Sequence, residues 1–137
     1  MNKFFECKGE DSMNYINEKL ILAYGLTQEE EEKLNSVLLK QNILSCKVIQ
    51  KNMGNVTIEE ILCDSEIKES NIELPLEKLL LFNNYKDKEL YGLIDHIKEV
   101  KSASTILAAV TPTSIKWTVG YLLEHLIEER EAHKINK

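Results

Sequence analysis

Short apolar runs alternate with amphipathic stretches along this chain, and the alternation predicts an α/β fold. The stretches 20–25 and 79–84 are apolar runs that end in glycine or asparagine. Runs of this length and flanking are typical of buried strands rather than helices. Two similar runs, 46–50 and 105–110, are predicted as the second strand of each half.

A helix is predicted after each of these strands. In the first half, Thr27 and Glu30 have the spacing of a capping box, in which each side chain bonds the backbone of the other residue. In the second half, the helix begins at Lys86 or Asp87. Apolar residues at helical spacing give both helices a core-facing side. A short helix from 57 and a long helix from 115 complete the two halves.

The two halves also resemble each other in sequence. Residues 18–42 align with 77–101 at an offset of 59, and 56–62 align with 117–123 at an offset of 61. Internal similarity of this kind is typical of a repeated supersecondary unit. Because a strand, a helix and a second strand join parallel strands, we predict two βαβα pseudo-repeats that share one small, mainly parallel sheet with helices packed on it.

The predicted organisation is one compact domain with four segments. Residues 1–17 form an N-terminal segment that is either an edge strand or loose. The first repeat spans 18–62, a polar linker spans 63–76, and the second repeat spans 77–137.

The second half resembles a known family. The stretches LLLFNNYKDKEL and ILAAVTPTSIKWTVGYLLEHLIEE are similar to the uncharacterised bacterial family called domain of unknown function 3783. The residues that match its pattern are Asn83, Tyr85, Thr111, Pro112, Trp117 and Leu122. Lys86 and Ser114 depart from it, since the family usually has a small hydroxyl residue and an asparagine there. The resemblance implies no activity, and the first half looks like a diverged copy that lacks the proline and the tryptophan.

Charge and composition argue against nucleic acid as a partner. The net charge is −6, from 17 basic and 23 acidic residues, and Arg130 is the single arginine. Arginine is the preferred side chain for bidentate hydrogen bonds to phosphates and guanine edges, so its scarcity disfavours DNA or RNA binding. No window approaches the roughly 20 apolar residues of a membrane span. We therefore expect neither a nucleic-acid nor a membrane partner.

The cysteines indicate a reducing compartment. Cys7, Cys46 and Cys63 form neither a CxxC pair nor a zinc spacing, and their number is odd. Without an apolar stretch for export, this pattern predicts reduced thiols in a cytoplasmic protein with no metal site and no cofactor.

The Thr-Pro-Thr-Ser junction at 111–114 has two interpretations. In the first, Thr111 caps the last helix and Pro112 occupies its first turn, where a missing N–H costs nothing. In the second, the junction holds a small anion, because helix starts offer free N–H groups and strand ends gather ligands in open α/β sheets. The speculative anion edge consists of Asn83, Asn84, Thr111, Thr113, Ser114 and Lys116.

An aromatic flank on the last helix also has two interpretations. Trp117 and Tyr121 are four residues apart and share a helical side, with Gly120 beside them. Trp117 either packs over the edge of its own sheet or faces another chain. In the second case Trp117, Gly120 and Tyr121 form an interface, since Trp and Tyr are enriched at interface centres.

No catalytic constellation is apparent in the sequence. GxSxG, GxGxxG and GxxxxGK[ST] are all absent. The residues His125, Glu129 and His133 recur every four positions, but the two histidines lie roughly 12 Å apart along a helix, too far to share one ion. We therefore predict a non-catalytic cytoplasmic interaction module that binds a protein partner or itself. The alternative is a sensor or enzyme for a small anionic ligand at the anion edge.

Overall fold

A computed structural model of the chain describes residues 19–41, 46–63, 73–98 and 104–135. The predictions for residues 1–17 and for most of the linker lie outside these residues. The described elements follow one another in the order β1 Leu20–Tyr24, α1 Gln28–Lys40, β2 Lys47–Ile49, α2 Ile58–Leu62, β3 Leu79–Asn83, α3 Asp87–Ile97, β4 Ile106–Ala109, a 3₁₀ turn Ser114–Lys116 and α4 Val119–Ile135.

These elements belong to two compact units, and each unit draws on both halves of the sequence. The sheet unit contains residues 14–49 and 76–110, with all four strands and helices α1 and α3. The helical unit includes residues 50–75 and 111–137, with α2, the 3₁₀ turn and α4.

The sheet confirms the predicted α/β class and the mainly parallel pairing. Its strand order is β2-β1-β3-β4. The β1–β2 and β3–β4 pairs are parallel, as expected for two crossover units. The central β1–β3 pair is antiparallel, with Leu22 opposite Leu81 at its middle.

The core of the sheet unit explains why β1 and β3 read as continuous apolar runs. All five residues of each strand are buried, as expected for central strands whose two faces are both covered. One cluster joins alternate strand residues to the apolar sides of α1 and α3. Its buried members are Ile21, Ala23, Leu34, Leu38, Leu80, Phe82, Leu93 and Ile97.

Helix α1 begins as its sequence predicts. The Thr27 hydroxyl oxygen accepts a hydrogen bond from the Glu30 N–H at 3.2 Å, and Glu30 accepts one from the Thr27 N–H at 2.8 Å. Thr57 and Glu60 form the same capping box at the start of α2. Both helices therefore start where a local side-chain signal satisfies the free N–H groups.

Two expectations from the sequence are wrong. The last helix begins at Val119 and not at 115, because Trp117 has an extended backbone and Thr118 forms an antiparallel bridge with Thr57. Cys63 is buried and takes part in a disulfide, so it is not the reduced thiol we expected. Cys46 is a free thiol.

Candidate functional site

Three rings at the start of α4 form a partly exposed cluster in the helical unit, here called the aromatic surface. Trp117 lies two residues before the helix, and Tyr121 and His125 lie on its first turns. The ring centroids of Trp117 and Tyr121 lie 4.8 Å apart, nearly perpendicular to each other. His125 lies 5.1 Å from Trp117 and 6.4 Å from Tyr121. Tyr121 is 56% exposed, whereas Trp117 and His125 are half-buried. Edge-to-face geometry and exposure together make a rigid, amphipathic contact surface.

The start of α4 fixes this surface in place. The Ile58 N–H donates to the Trp117 carbonyl oxygen at 3.0 Å, and the Val119 N–H donates to the Val56 carbonyl oxygen at 2.8 Å. The Thr118 hydroxyl oxygen then accepts from the Tyr121 N–H at 3.2 Å, as an N-cap does. Trp117 is therefore held by its backbone, and its ring position does not depend on the ring contacts alone.

Gly120 lies against the backbone of Gly54. The Gly120 N–H donates to the Gly54 carbonyl oxygen at 3.0 Å. A Cβ at position 120 would lie 3.1 Å from that oxygen, which is tighter than ordinary van der Waals contact. The glycine thus permits the close approach of two backbones.

A groove borders the aromatic surface on the side of Tyr121. It has a volume of about 330 Å³. Polar and apolar residues line it, including the two acidic residues Glu73 and Glu124. The full lining is Gly54, Asn55, Glu73, Leu74, Pro75, Thr118, Gly120, Tyr121 and Glu124.

Further along α4, His125 pairs with Glu129. The distance from His125 Nε2 to the nearer Glu129 carboxylate oxygen is 3.2 Å, and both side chains are substantially exposed. His125 additionally belongs to the aromatic surface, a role that the sequence analysis missed. The signal was present, since Trp117, Tyr121 and His125 recur every four residues.

The Thr-Pro-Thr-Ser junction forms a closed hydrogen-bonded turn. The Thr111 N–H donates to the Ser114 hydroxyl oxygen at 2.9 Å, and the Ser114 N–H donates to the Thr111 hydroxyl oxygen at 2.9 Å. Ser114 is buried, and Thr113 is exposed. These reciprocal bonds close the turn ahead of the 3₁₀ turn, whose own N-cap, Thr113, makes no side-chain cap. The interpretation of Thr111 as the cap of the last helix is wrong, because that helix begins at Val119 and Thr118 caps it.

The remaining residues of the anion edge are divided between the two units. Lys116, in the helical unit, places its ammonium 2.8 Å from the carboxylate of Glu59. Asn83 and Asn84 end β3 in the sheet unit, where Asn83 is buried and Asn84 has a φ of 65°. An anion at Lys116 would have to compete with Glu59. Binding of an anion by these residues stays a prediction.

Within the described ranges, no group of three or more His, Cys, Asp or Glu side chains is arranged to hold a metal ion. None of the helices in the same ranges is both long and apolar enough to cross a membrane.

Comparison with known proteins gives one match. Residues 78–132 match the family model described as domain of unknown function (DUF3783). This confirms the resemblance of the second half that the strand and Thr-Pro motifs indicated. The matched segment runs from the residue before β3 into α4, so it includes the aromatic surface. No curated protein and no solved structure matches the chain.

Proposed function

We propose that this protein is a non-catalytic interaction module that contacts another protein through the aromatic surface. The observation that carries the proposal is the exposed ring of Tyr121 packed against Trp117 and His125. Such anchors lose little conformational entropy on binding, because their rings are already held in place. The adjoining groove offers a concave site for side chains of a partner.

The chain offers a matched control for this surface. Tyr91 on α3 is 71% exposed, more than Tyr121, and lies in the sheet unit. Replacing either tyrosine by alanine removes a similar exposed area. Different effects of the two substitutions on association would therefore reflect location and not the loss of a tyrosine.

A second copy of the chain is the first partner to test. We expect the wild type to sediment as a dimer, Tyr121→Ala to shift it toward monomer, and Tyr91→Ala to leave it unchanged. Trp117 is the single tryptophan, so its fluorescence should shift to the blue as the wild type associates. A wild type that stays monomeric at high micromolar concentration would exclude the homodimer. Binding of a different protein partner would then have to be weakened by Tyr121→Ala and not by Tyr91→Ala.

We also infer that the first half is a diverged copy of the domain matched at 78–132. Support comes from the backbone at two aligned positions, Gly25 and Asn84, which both have positive φ directly after a strand. The capping pairs Thr27–Glu30 and Lys86–Glu89 follow at the same offset, and in each the glutamate accepts from the backbone N–H three residues earlier. Chains that carry a single copy of the domain would test this inference, since the backbone of their strand, turn and helix should superimpose on both halves.

A further inference from the structure

The two halves meet in the sheet unit through a self-complementary register. Leu22 and Leu81 lie at aligned positions, and they face each other at the centre of the antiparallel β1–β3 pair. Stepping outward from this centre, Leu20 faces Asn83 and Tyr24 faces Leu79. Because Leu20 aligns with Leu79 and Tyr24 aligns with Asn83, exchanging the two strands gives the same set of pairs. This is the pattern of a two-fold axis between identical strands.

The ion pairs beside this strand pair obey the same rule. Lys78 Nζ lies 2.8 Å from a Glu30 carboxylate oxygen. Lys19 forms the reciprocal ion pair with Glu89. Lys19 aligns with Lys78 and Glu30 aligns with Glu89, so each half presents one lysine and one glutamate to the other.

The helical unit repeats the reciprocity with other groups. Thr57 and Thr118 align at the offset of 61, and they pair with each other in an antiparallel bridge. The bond from the Ile58 N–H to Trp117 has its counterpart in the bond from the Val119 N–H to Val56. In both halves the bridging threonine then caps the following helix, at 3.1 Å for Thr57 and 3.2 Å for Thr118.

We propose that the face through which the halves meet is a homotypic docking surface, whose fitting partner is another copy of the same βαβα half. In this chain the first half occupies that face of the second half, so the molecule is an internal dimer. The proposal rests on the inferred duplication, and it concerns a different face from the aromatic surface. An isologous contact uses the same surface on both partners, so a half that fits the other half of its own chain also fits a second copy of itself.

Pairing within the chain is favoured by the connection between the halves. A linker raises the effective concentration of the attached partner to about the millimolar range. Pairing between chains should therefore become detectable when the ion pairs between the halves of one chain are made repulsive and those between like halves of two chains stay attractive. The positions of Lys78 and Glu89 allow this with two substitutions.

The decisive variant is Lys78→Glu with Glu89→Lys. Within one chain, position 78 then places a carboxylate against Glu30, and position 89 places an ammonium against Lys19. Between two chains, position 78 of one second half meets position 89 of the other with opposite charges, and Lys19 of one first half meets Glu30 of the other. Like charges thus oppose the internal dimer, while the two homotypic pairings keep both attractions.

The control adds Lys19→Glu and Glu30→Lys to the same variant. All four charges are then reversed, and both internal ion pairs are restored with inverted polarity. Each protein is refolded at high concentration, checked for helix content by circular dichroism, and examined by sedimentation equilibrium. Each protein is also examined with Tyr121→Ala, which removes association through the aromatic surface. In that background the two-substitution variant should dimerise with a dissociation constant at least about tenfold lower than the protein with wild-type charges, while the control behaves as that protein does.

Other outcomes overturn the proposal. A folded, monomeric two-substitution variant would show that the face does not accept a second copy, and dimerisation of the control to the same extent would show that the charges do not direct pairing. An unfolded two-substitution variant beside a folded control would mean that no homotypic pairing rescues it. Adding Tyr121→Ala must leave the charge-directed dimer intact, which separates this result from the fate of the aromatic surface.

Discussion

The turn that leaves β1 and the turn that leaves β3 have the same backbone conformation, but different residues adopt it. Gly25 has a φ of 80° and Asn84 a φ of 65°. Glycine adopts this region without strain, and asparagine is among the side-chain residues that tolerate it best. A Cβ at position 25 would also collide with the carbonyl oxygen of Glu77. Both turns therefore require a residue that tolerates positive φ, whereas the contact with Glu77 makes glycine necessary in the first turn.

Breaking this comparison should give the largest effect on stability. We expect Gly25→Ala to lower the free energy of unfolding by on the order of 3 kcal/mol, because backbone strain and the Glu77 contact act together. Asn84→Gly should change it by less than about 0.5 kcal/mol, since the conformation suits both residues. Urea denaturation of both variants measures the difference. A Gly25→Ala protein of nearly wild-type stability would contradict the close contact with Glu77.

The helices that follow these turns differ at their first residue. Thr27 accepts from the Glu30 N–H, whereas Lys86 makes no side-chain cap and keeps only the bond from its N–H to Glu89, at 3.0 Å. A lysine also places positive charge where the helix dipole favours negative charge. The helix of the second half thus starts with one of the two bonds that start the helix in the first half.

Restoring the cap should remove this difference. We expect Lys86→Thr to raise the free energy of unfolding by about 1 kcal/mol, and Thr27→Ala to lower it by about the same amount. Lys88→Thr, in the first turn of α3, controls for the loss of a positive charge and should not stabilise the protein. Thermal denaturation and urea titration should agree on the sign. No gain from Lys86→Thr would mean that other groups already satisfy the start of α3.

The two reciprocal ion pairs differ in burial. The side chains of Lys78 and Glu30 are 31% and 17% exposed, whereas those of Lys19 and Glu89 are 49% and 35% exposed. The hydrogen bond from Lys78 lowers the pKa of Glu30, and the backbone N–H of Thr27 lowers that pKa further. Because the pKa of Glu30 is lower in the folded state than in the unfolded state, the pair stabilises the protein while Glu30 is ionised.

Acid should therefore weaken this pair and give the smallest of the three effects. The stabilisation is complete above the unfolded pKa of a glutamate, about 4.3, and is lost as the pH falls through the lower folded pKa. We expect Lys78→Met to cost about 0.5 to 1 kcal/mol at neutral pH and nothing at the acid end. Lys33→Met, which removes an exposed partner of Glu29 on the same helix, is the control. Urea titrations from neutral pH down to about pH 3 would show the trend. A cost of Lys78→Met that persists in acid would mean that lost packing, not charge, is responsible.

Much of the sheet unit could be predicted because its signals are local. β1 and β3 are continuous apolar runs that a turn residue ends, and α1 begins at a capping box written within four residues. The aromatic surface was partly predictable for the same reason, as Trp117 and Tyr121 have helical spacing. His125 was considered from the sequence only as a metal ligand, although it contacts both rings.

By itself, the sequence determined the class of the fold, the order of its elements and the parallel pairing within each half, because periodicity, caps and crossover length act over short distances. Only the tertiary structure decided that β1 and β3 run antiparallel, since two segments nearly sixty residues apart choose their direction through contacts and not through local preference. It likewise decided that α4 begins at Val119. Trp117 and Thr118 have residue types that a helix would accept. The Trp117 carbonyl oxygen instead accepts from the Ile58 N–H, and Thr118 pairs with Thr57 in an antiparallel bridge, so the chain stays extended up to Val119. A hydrogen-bond partner that is distant in sequence outweighs a weak local preference, because each backbone group can satisfy only one arrangement at a time.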